Sequence, residues 1–159
     1  MLPADLSLTY RLFLRTYRWR RAGAVPAARL RLPVTGARVA LVTSAGLVMP
    51  GDTPFDLDLK GGDWSYRTIN GAADPRALTV HHRSDAFDPA AIDADRNVAF
   101  PLDRLRDLAA AGDIGAVAQR HLSFMGSITA PGRLQAESAP AAADLLAGDG
   151  VDIALLVPV

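Results

Sequence analysis

At 159 residues the chain is long enough for a single domain that buries a full hydrophobic core without covalent staples. Lys+Arg and Asp+Glu balance at 17 each and half of the residues are hydrophobic, which excludes a uniformly basic nucleic-acid binder and a disordered acidic chain. Cysteine is absent, so disulfides, thiolate metal sites and a thiol nucleophile are excluded among these residues.

The neutral total hides a division. Residues 1–38 carry eight arginines against Asp5 alone; residues 39–159 carry eight arginines and Lys60 against sixteen acids. We read residues 1–36 as a basic helical arm with a linker, and residues 37–159 as the main domain. In the arm, DLSLTYRLFLRTYRWRR (5–21) has helical spacing, with Leu8, Leu12, Phe13 and Tyr17 available for an apolar stripe. Gly23 and Pro26 end that pattern. Docking on its own domain or on a second subunit, as a homo-oligomer contact, is the expected use of such a helix. Its arginines and aromatics also suit an anionic membrane surface or RNA. No run of 18 apolar residues occurs and the start lacks a secretory pattern, so no membrane span is expected and the cytoplasm is the expected compartment.

ARVALVT (37–43) is a short apolar run bounded by Gly36 and by Ser44-Ala45-Gly46, as in a strand buried on both faces of a parallel sheet. A long loop with Gly46, Pro50, Gly51, Pro54, Gly61 and Gly62 follows over 44–64. Further strands are expected at ALTVHH (77–82) and IALLVPV (153–159). PLDRLRDLAAA (101–111) reads as a helix opened by Pro101 and closed by Gly112, with Leu102, Leu105 and Leu108 on one face. Residues 113–119 read as a short helix, and 133–147 as another weakened by Pro140. Strands separated by helices predict an α/β, Rossmann-like fold with a mostly parallel sheet of about four strands.

Ligands of open α/β sheets gather beyond the carboxyl ends of strands. That rule directs attention to His81 and His82, which end an expected strand, and to His121 in QRHLSFMG. Neighbouring strand residues face opposite ways, so one of His81 and His82 is expected in a given pocket, with Asp85 four residues past His81 to orient an imidazole. Zinc on His81, Asp85 and His121 lacks a compact ligand spacing, and no metal or other cofactor is expected. In TSAGL (43–47), Ser44 and Gly46 form a small-residue turn that can offer backbone N–H groups to an anion. GDWSYR (62–67) brings Asp63, Ser65 and Arg67 together, and Arg67 has the fork for a carboxylate. Neither a phosphate-binding fingerprint nor the GxSxG context that would make Ser44, Ser65 or Ser123 a nucleophile is present.

ARVALVTSAGL, GDWSYR, HHRSD, DRNVAFPLDRL, GDIGAVAQRHLSFMGSI and DGVDIALLVPV, in this order, resemble the selenoprotein B family of glycine, sarcosine and betaine reductases and the related D-proline reductases. The resemblance covers about residues 37–159 and is most specific in NVAFPLDRL followed by HLSFMG. It implies reductive C–N cleavage of a small amine-bearing acid, within a multi-subunit complex fed by a thioredoxin-like donor. It also implies a selenocysteine or cysteine nucleophile just after a strand similar to IALLVPV. Matching positions are His81 and Asp85; Asn97, Pro101, Asp103 and Arg104; and His121, Ser123 and Gly126. Acid–base work is thus expected of His81, Asp85 and His121, with a cleft lined by Ser44, Gly46, Asp63, Ser65, Arg67, Asn97, Ser123 and Gly126. The departure is the missing nucleophile, since the sequence stops at Val159 without cysteine or selenocysteine. Two expectations follow: a reductase subunit cut off before its redox residue, or a short relative that serves as a small-acid-binding or assembly module.

Overall fold

The structure is a computed structural model that describes residues 7–16, 28–84 and 87–159. Its centre is β1 (Arg38–Thr43), the β-branched run flanked by Gly36 and Ser44. On one side β1 pairs in parallel with β5 (Ala116–Val117) at its start and with β6 (Arg120–Phe124) at its end; on the other it pairs in parallel with β7 (Ile153–Val157). A strand absent from the sequence reading, β3 (Tyr66–Asn70), joins β6 antiparallel, with Ile69 opposite His121 and Arg67 opposite Ser123. A separate two-stranded antiparallel sheet pairs β2 (Leu47–Val48) with β4 (Thr79–Val80). The architecture is α/β, but the sheet is mixed where a mostly parallel, Rossmann-like one was expected, because β3 enters along the edge of β6 in the opposite direction.

Both faces of the five-stranded sheet are covered, which is why β1 reads as a continuous apolar run. On one face Val39, Leu41 and Ile69 pack with Leu78, Ile92, Phe100 and with Leu102 and Leu105 of α3 (Leu102–Ala111). On the other, Ala40, Val42, Leu122 and Phe124 pack with Ala142, Leu145 and Leu146 of α4 (Ala139–Gly148). Short helical segments complete the chain at α1 (Leu8–Thr16) and α2 (Ala90–Ala94). β7 is the exception to this cover: Leu155 is 43% exposed and Leu156 69%, on a strand whose register pairs it with β1 alone.

The helix expected over 101–111 forms as α3, with Pro101 just before it and Gly112 capping its end. Pro140 is placed where it does little to weaken the last helix. It lies in the first turn of α4, where no backbone N–H is needed, and the preceding turn, Leu134–Ser138, is wound as a π-helix. The short helix expected over 113–119 is instead extended, because Gly115 and Ala116 donate their N–H groups to the Ala37 carbonyl and lead into β5. The strand expected over 77–82 shrinks to β4. Asp74 accepts the Arg76 N–H and, with Pro75, winds residues 75–77 into a 3-10 turn. In the arm, α1 lies within the expected 5–21 helix, and its Leu8 and Leu12 are exposed. Residues 17–27, which hold the rest of that helix and the first part of the linker, lie outside the described residues. Among the described residues no helix is long and apolar enough to cross a membrane.

Candidate functional site

The three parallel strands β6, β1 and β7 end together, and the turn after β1 ties these ends to one another. Ser44 donates its N–H to the Val157 carbonyl (3.1 Å), and its hydroxyl both accepts the Val159 N–H (3.0 Å) and reaches the Val159 carbonyl (3.4 Å). Gly46 donates to the Phe124 carbonyl (2.8 Å) and accepts from the His81 N–H (2.8 Å). Its φ is +66°, and a Cβ there would stand 2.2 Å from the His81 carbonyl oxygen, so only glycine lets the two main chains meet. Beside this knot opens a groove of about 460 Å³, lined by Val42, Thr43, Ser44, Phe124, Gly126, Ile128, Leu134, Ala139 and the β7 end from Leu156 to Pro158. Its lining is almost wholly apolar, with the Thr43 and Ser44 hydroxyls as the polar exceptions among the side chains.

Of the expected site residues, the structure brings Ser44, Gly46 and Gly126 to this end of the sheet. His81 is there through its main chain, and its ring is half-buried. Asp85 lies outside the described residues. His82, the alternative to His81 for a given pocket, is also present. Its ring stacks on Phe87 with centroids 4.1 Å apart, and the Ser84 N–H donates to its Nδ1 (3.2 Å). Nε2 is buried without a hydrogen-bond partner and lies toward Gly126 and Ser44. Burial pushes the pKa of His82 below its ordinary 6.5. The signal that could have found it is the end of the ladder at Val80, beyond which strand alternation no longer decides which histidine faces inward.

His121 lies elsewhere. It is in the first half of β6, fully buried, with its Nδ1 accepting the Leu41 N–H (2.9 Å) and its ring edge-on to Phe100. Burial, reinforced by the Arg106 guanidinium, lowers its pKa to about 4, so the ring is neutral at pH 7. Ser123, two residues on, is also fully buried, and its hydroxyl has no partner. Both side chains sit inside the sheet's packing and neither lines the groove.

Asp63, Ser65 and Arg67 do meet one another, but as a fastening for the long loop. Asp63 accepts the Asp56 N–H (3.0 Å) and both the N–H and hydroxyl of Ser65. Arg67 spends its guanidinium on the carbonyls of Thr53 (2.6 Å) and Pro54 (2.9 Å) and on the Ser65 hydroxyl (2.8 Å), while stacking over Phe55. Burial alone would raise the pKa of Asp63, yet the hydrogen bonds from Ser65 and Asp56 outweigh it and hold the carboxyl below its ordinary value. The expected carboxylate grip of Arg67 is therefore occupied by the protein's own carbonyls. Asn97 likewise works within the fold: its side chain accepts the Asp103 N–H in the first turn of α3 (3.2 Å) and donates to Asp95 (2.9 Å). Among the described residues no group of three or more His, Asp or Glu side chains is placed to hold a metal ion.

Comparison with known proteins gives this arrangement a family. Residues 8–158 match the family described as glycine/sarcosine/betaine reductase selenoprotein B. D-proline reductase subunit gamma of Acetoanaerobium sticklandii is 38% identical over 118 residues, covering 74% of this chain and 47% of that protein. The betaine reductase complex component B subunit beta of Peptoclostridium acidaminophilum is 34% identical over 111 residues, 69% of this chain and 24% of that protein. The glycine reductase complex component B subunit gamma of Carboxydothermus hydrogenoformans is 29% identical over 120 residues, 76% of this chain and 27% of that protein. The chain thus spans half or less of the length of these relatives. No solved structure matches. With the family matched from the N-terminal helix to the end of β7, the chain belongs to the glycine/sarcosine/betaine reductase selenoprotein B family.

Proposed function

We propose that the chain is a subunit, or part of one, of a reductase complex that cleaves the C–N bond of a small amine-bearing acid. The single observation that carries this reading is the groove at the joint ends of β6, β1 and β7, where the Ser44 hydroxyl grips both main-chain groups of Val159. A groove beyond the carboxyl ends of parallel strands supports this reading, because open α/β sheets collect ligands there. By resemblance, the soft nucleophile of family enzymes follows a strand like β7, so the groove lies where that chemistry is expected. Cysteine is absent from these 159 residues, and serine or histidine does not replace a thiolate or selenolate in attacking the carbon that bears the amine. The nucleophile is therefore supplied from outside these residues, and a thioredoxin-like dithiol supplies the two electrons.

Within that division of labour Ser44 and Gly126 line the groove, Gly46 fastens the turn beside it, and His81, whose N–H donates to the Gly46 carbonyl, is the acid–base group. Asp63, Ser65, Arg67, Asn97, His121 and Ser123 hold the surrounding fold. The exposed apolar side chains of β7 are continuous with the groove, since Leu156 belongs to both, and they form the surface on which a reductase subunit packs. A reducing cytoplasm suits the cysteine-free chain and its thiol-dependent partners.

The test is to titrate the purified chain with D-proline, glycine, sarcosine and betaine by calorimetry. Turnover is then followed with dithiothreitol, before and after adding a selenol- or thiol-bearing reductase subunit. Binding of one of these acids is the expected outcome, with C–N cleavage only after the second subunit is added, read as released amine for glycine, sarcosine and betaine and as the ring-opened amino acid for D-proline. C–N cleavage by the chain alone would overturn the external nucleophile. The absence of cysteine favours one second reading, a binding or assembly module without turnover. It predicts ligand or partner binding and no C–N cleavage in either mixture.

A further inference from the structure

The groove has two walls of different make. One consists of strand ends, where Val42, Phe124, Leu156 and Val157 are held by the ladders of the sheet. The other is the segment that leaves β6, which brings Gly126, Ile128, Leu134 and Ala139 to the groove. Among the described residues, positions 126–130 of that segment make a single main-chain hydrogen bond, from the Ala130 N–H to the Gly61 carbonyl (3.0 Å). A wall with so few bonds of its own takes its position from what it leans on.

Its support is the long loop before β3. Gly62, with φ at +97°, lies against Ile128: a Cβ there would stand 2.8 Å from the Ile128 Cα and 3.3 Å from its Cγ1. Two residues on, the half-buried Trp64 carries the Arg133 guanidinium over its ring, 4.0 Å from the centroid. Arg133 immediately precedes Leu134, and its guanidinium also pairs with Glu137 (3.0 Å). The loop is anchored in turn by Asp63, on the Asp56 and Ser65 N–H groups, and by Arg67, on the Thr53 and Pro54 carbonyls. A chain of contacts therefore runs from GDWSYR to two apolar side chains of the outer wall. Trp64 does not itself line the groove, so its effect on a ligand passes through Arg133.

We propose that Trp64 is a positioning residue of the groove, its stack with Arg133 setting where Leu134 stands in the outer wall and so the width offered to a ligand. No charged side chain lines the groove, so fit depends on close apolar contact, which fades within an ångström of separation. The ligand arm of the test rests on the reductase reading above; the placement of Leu134 does not.

The test uses the full chain with ¹³C-labelled methyl groups. Arg133→Ala removes the cation from a side chain that is 60% exposed, and Arg133→Lys keeps one. Arg133→Ala should move the Leu134 methyl signals and leave those of Leu105, across the sheet, in place. Arg133→Lys should return them, and Glu137→Ala, which breaks the ion pair but keeps the stack, should leave them near their native positions. Calorimetry then follows D-proline and cyclopentanecarboxylate, a probe with the ring and the acid but no amine. Trp64→Ala and Arg133→Ala should each weaken binding about two- to fivefold, and the double variant no more than either alone, because both remove one contact. Trp64→Phe should restore most of the loss. Unmoved Leu134 signals in Arg133→Ala would overturn the proposal, as would additive losses in the double variant or native-strength binding by Trp64→Ala. Moved Leu134 signals in a chain that binds neither compound support the positioning role and count against the reductase reading. D-proline binding that ignores Trp64 does the opposite.

Discussion

The imidazole of His121 accepts the Leu41 N–H while wholly buried, so the folded chain holds it neutral down to about pH 4, whereas the unfolded chain protonates it near 6.5. Between those values the unfolded state binds more protons. Stability from this group is therefore complete above pH 6.5 and falls as the pH drops toward 4, by about 3 kcal/mol across the window. Urea unfolding of the native chain from pH 7 to pH 4 should show this slope. In His121→Leu it should largely flatten, with a residual slope from His82, which is shifted in the same direction. At pH 7 the same substitution should cost about 1–3 kcal/mol, because the Leu41 N–H loses its acceptor. A second residue-scale expectation concerns Asn97. Asn97→Ala removes the acceptor from the first turn of α3 and should lower stability by about 1 kcal/mol, read from the same urea midpoints, without altering ligand affinity.

At the scale of elements, sequence legibility followed the apolar pattern. β1, α3 and β7 are continuous runs or cleanly punctuated helices, and each forms where the residues indicate. β3 and β6 were not legible, because YRTIN and RHLSF put Arg67, His121 and Ser123 where a strand pattern would show apolar side chains. Two of them are tolerated through distant partners: Arg67 finds the carbonyls of Thr53 and Pro54, and His121 finds Leu41, 80 residues away in the sequence. The same distance explains the site. Ser44 and Gly46 were legible as a turn after a strand, but the convergence of His82 with Gly126 was not, since no local spacing links them. Two element-scale outcomes follow. Phe100→Ala empties the centre of the α3 face and should cost about 3–5 kcal/mol in urea unfolding. Leu156→Lys changes a side chain on the exposed strand and should leave that midpoint within about 0.5 kcal/mol. It should nevertheless weaken association with a reductase subunit in pull-down or sedimentation measurements.

For the whole molecule, every buried core residue among those described lies at or beyond Ala37, while Leu8 and Leu12 of α1 are exposed. Removal of residues 1–27 should therefore leave the thermal midpoint unchanged within about 2 °C, as differential scanning calorimetry would show. A large drop would mean that the arm docks on the domain.

By itself the sequence determined the α/β class, the central strand and last strand, the punctuated helix before Gly112, the lack of a thiol and, through the order of its motifs, the family. Each of these depends on local composition or on segments read one at a time. Only the tertiary structure decided that the sheet is mixed, that Arg67 and His121 serve the fold, and that His82 packs beside Gly126. Those outcomes turn on which buried donor meets which acceptor, and the chain settles that only when segments far apart in sequence are packed side by side.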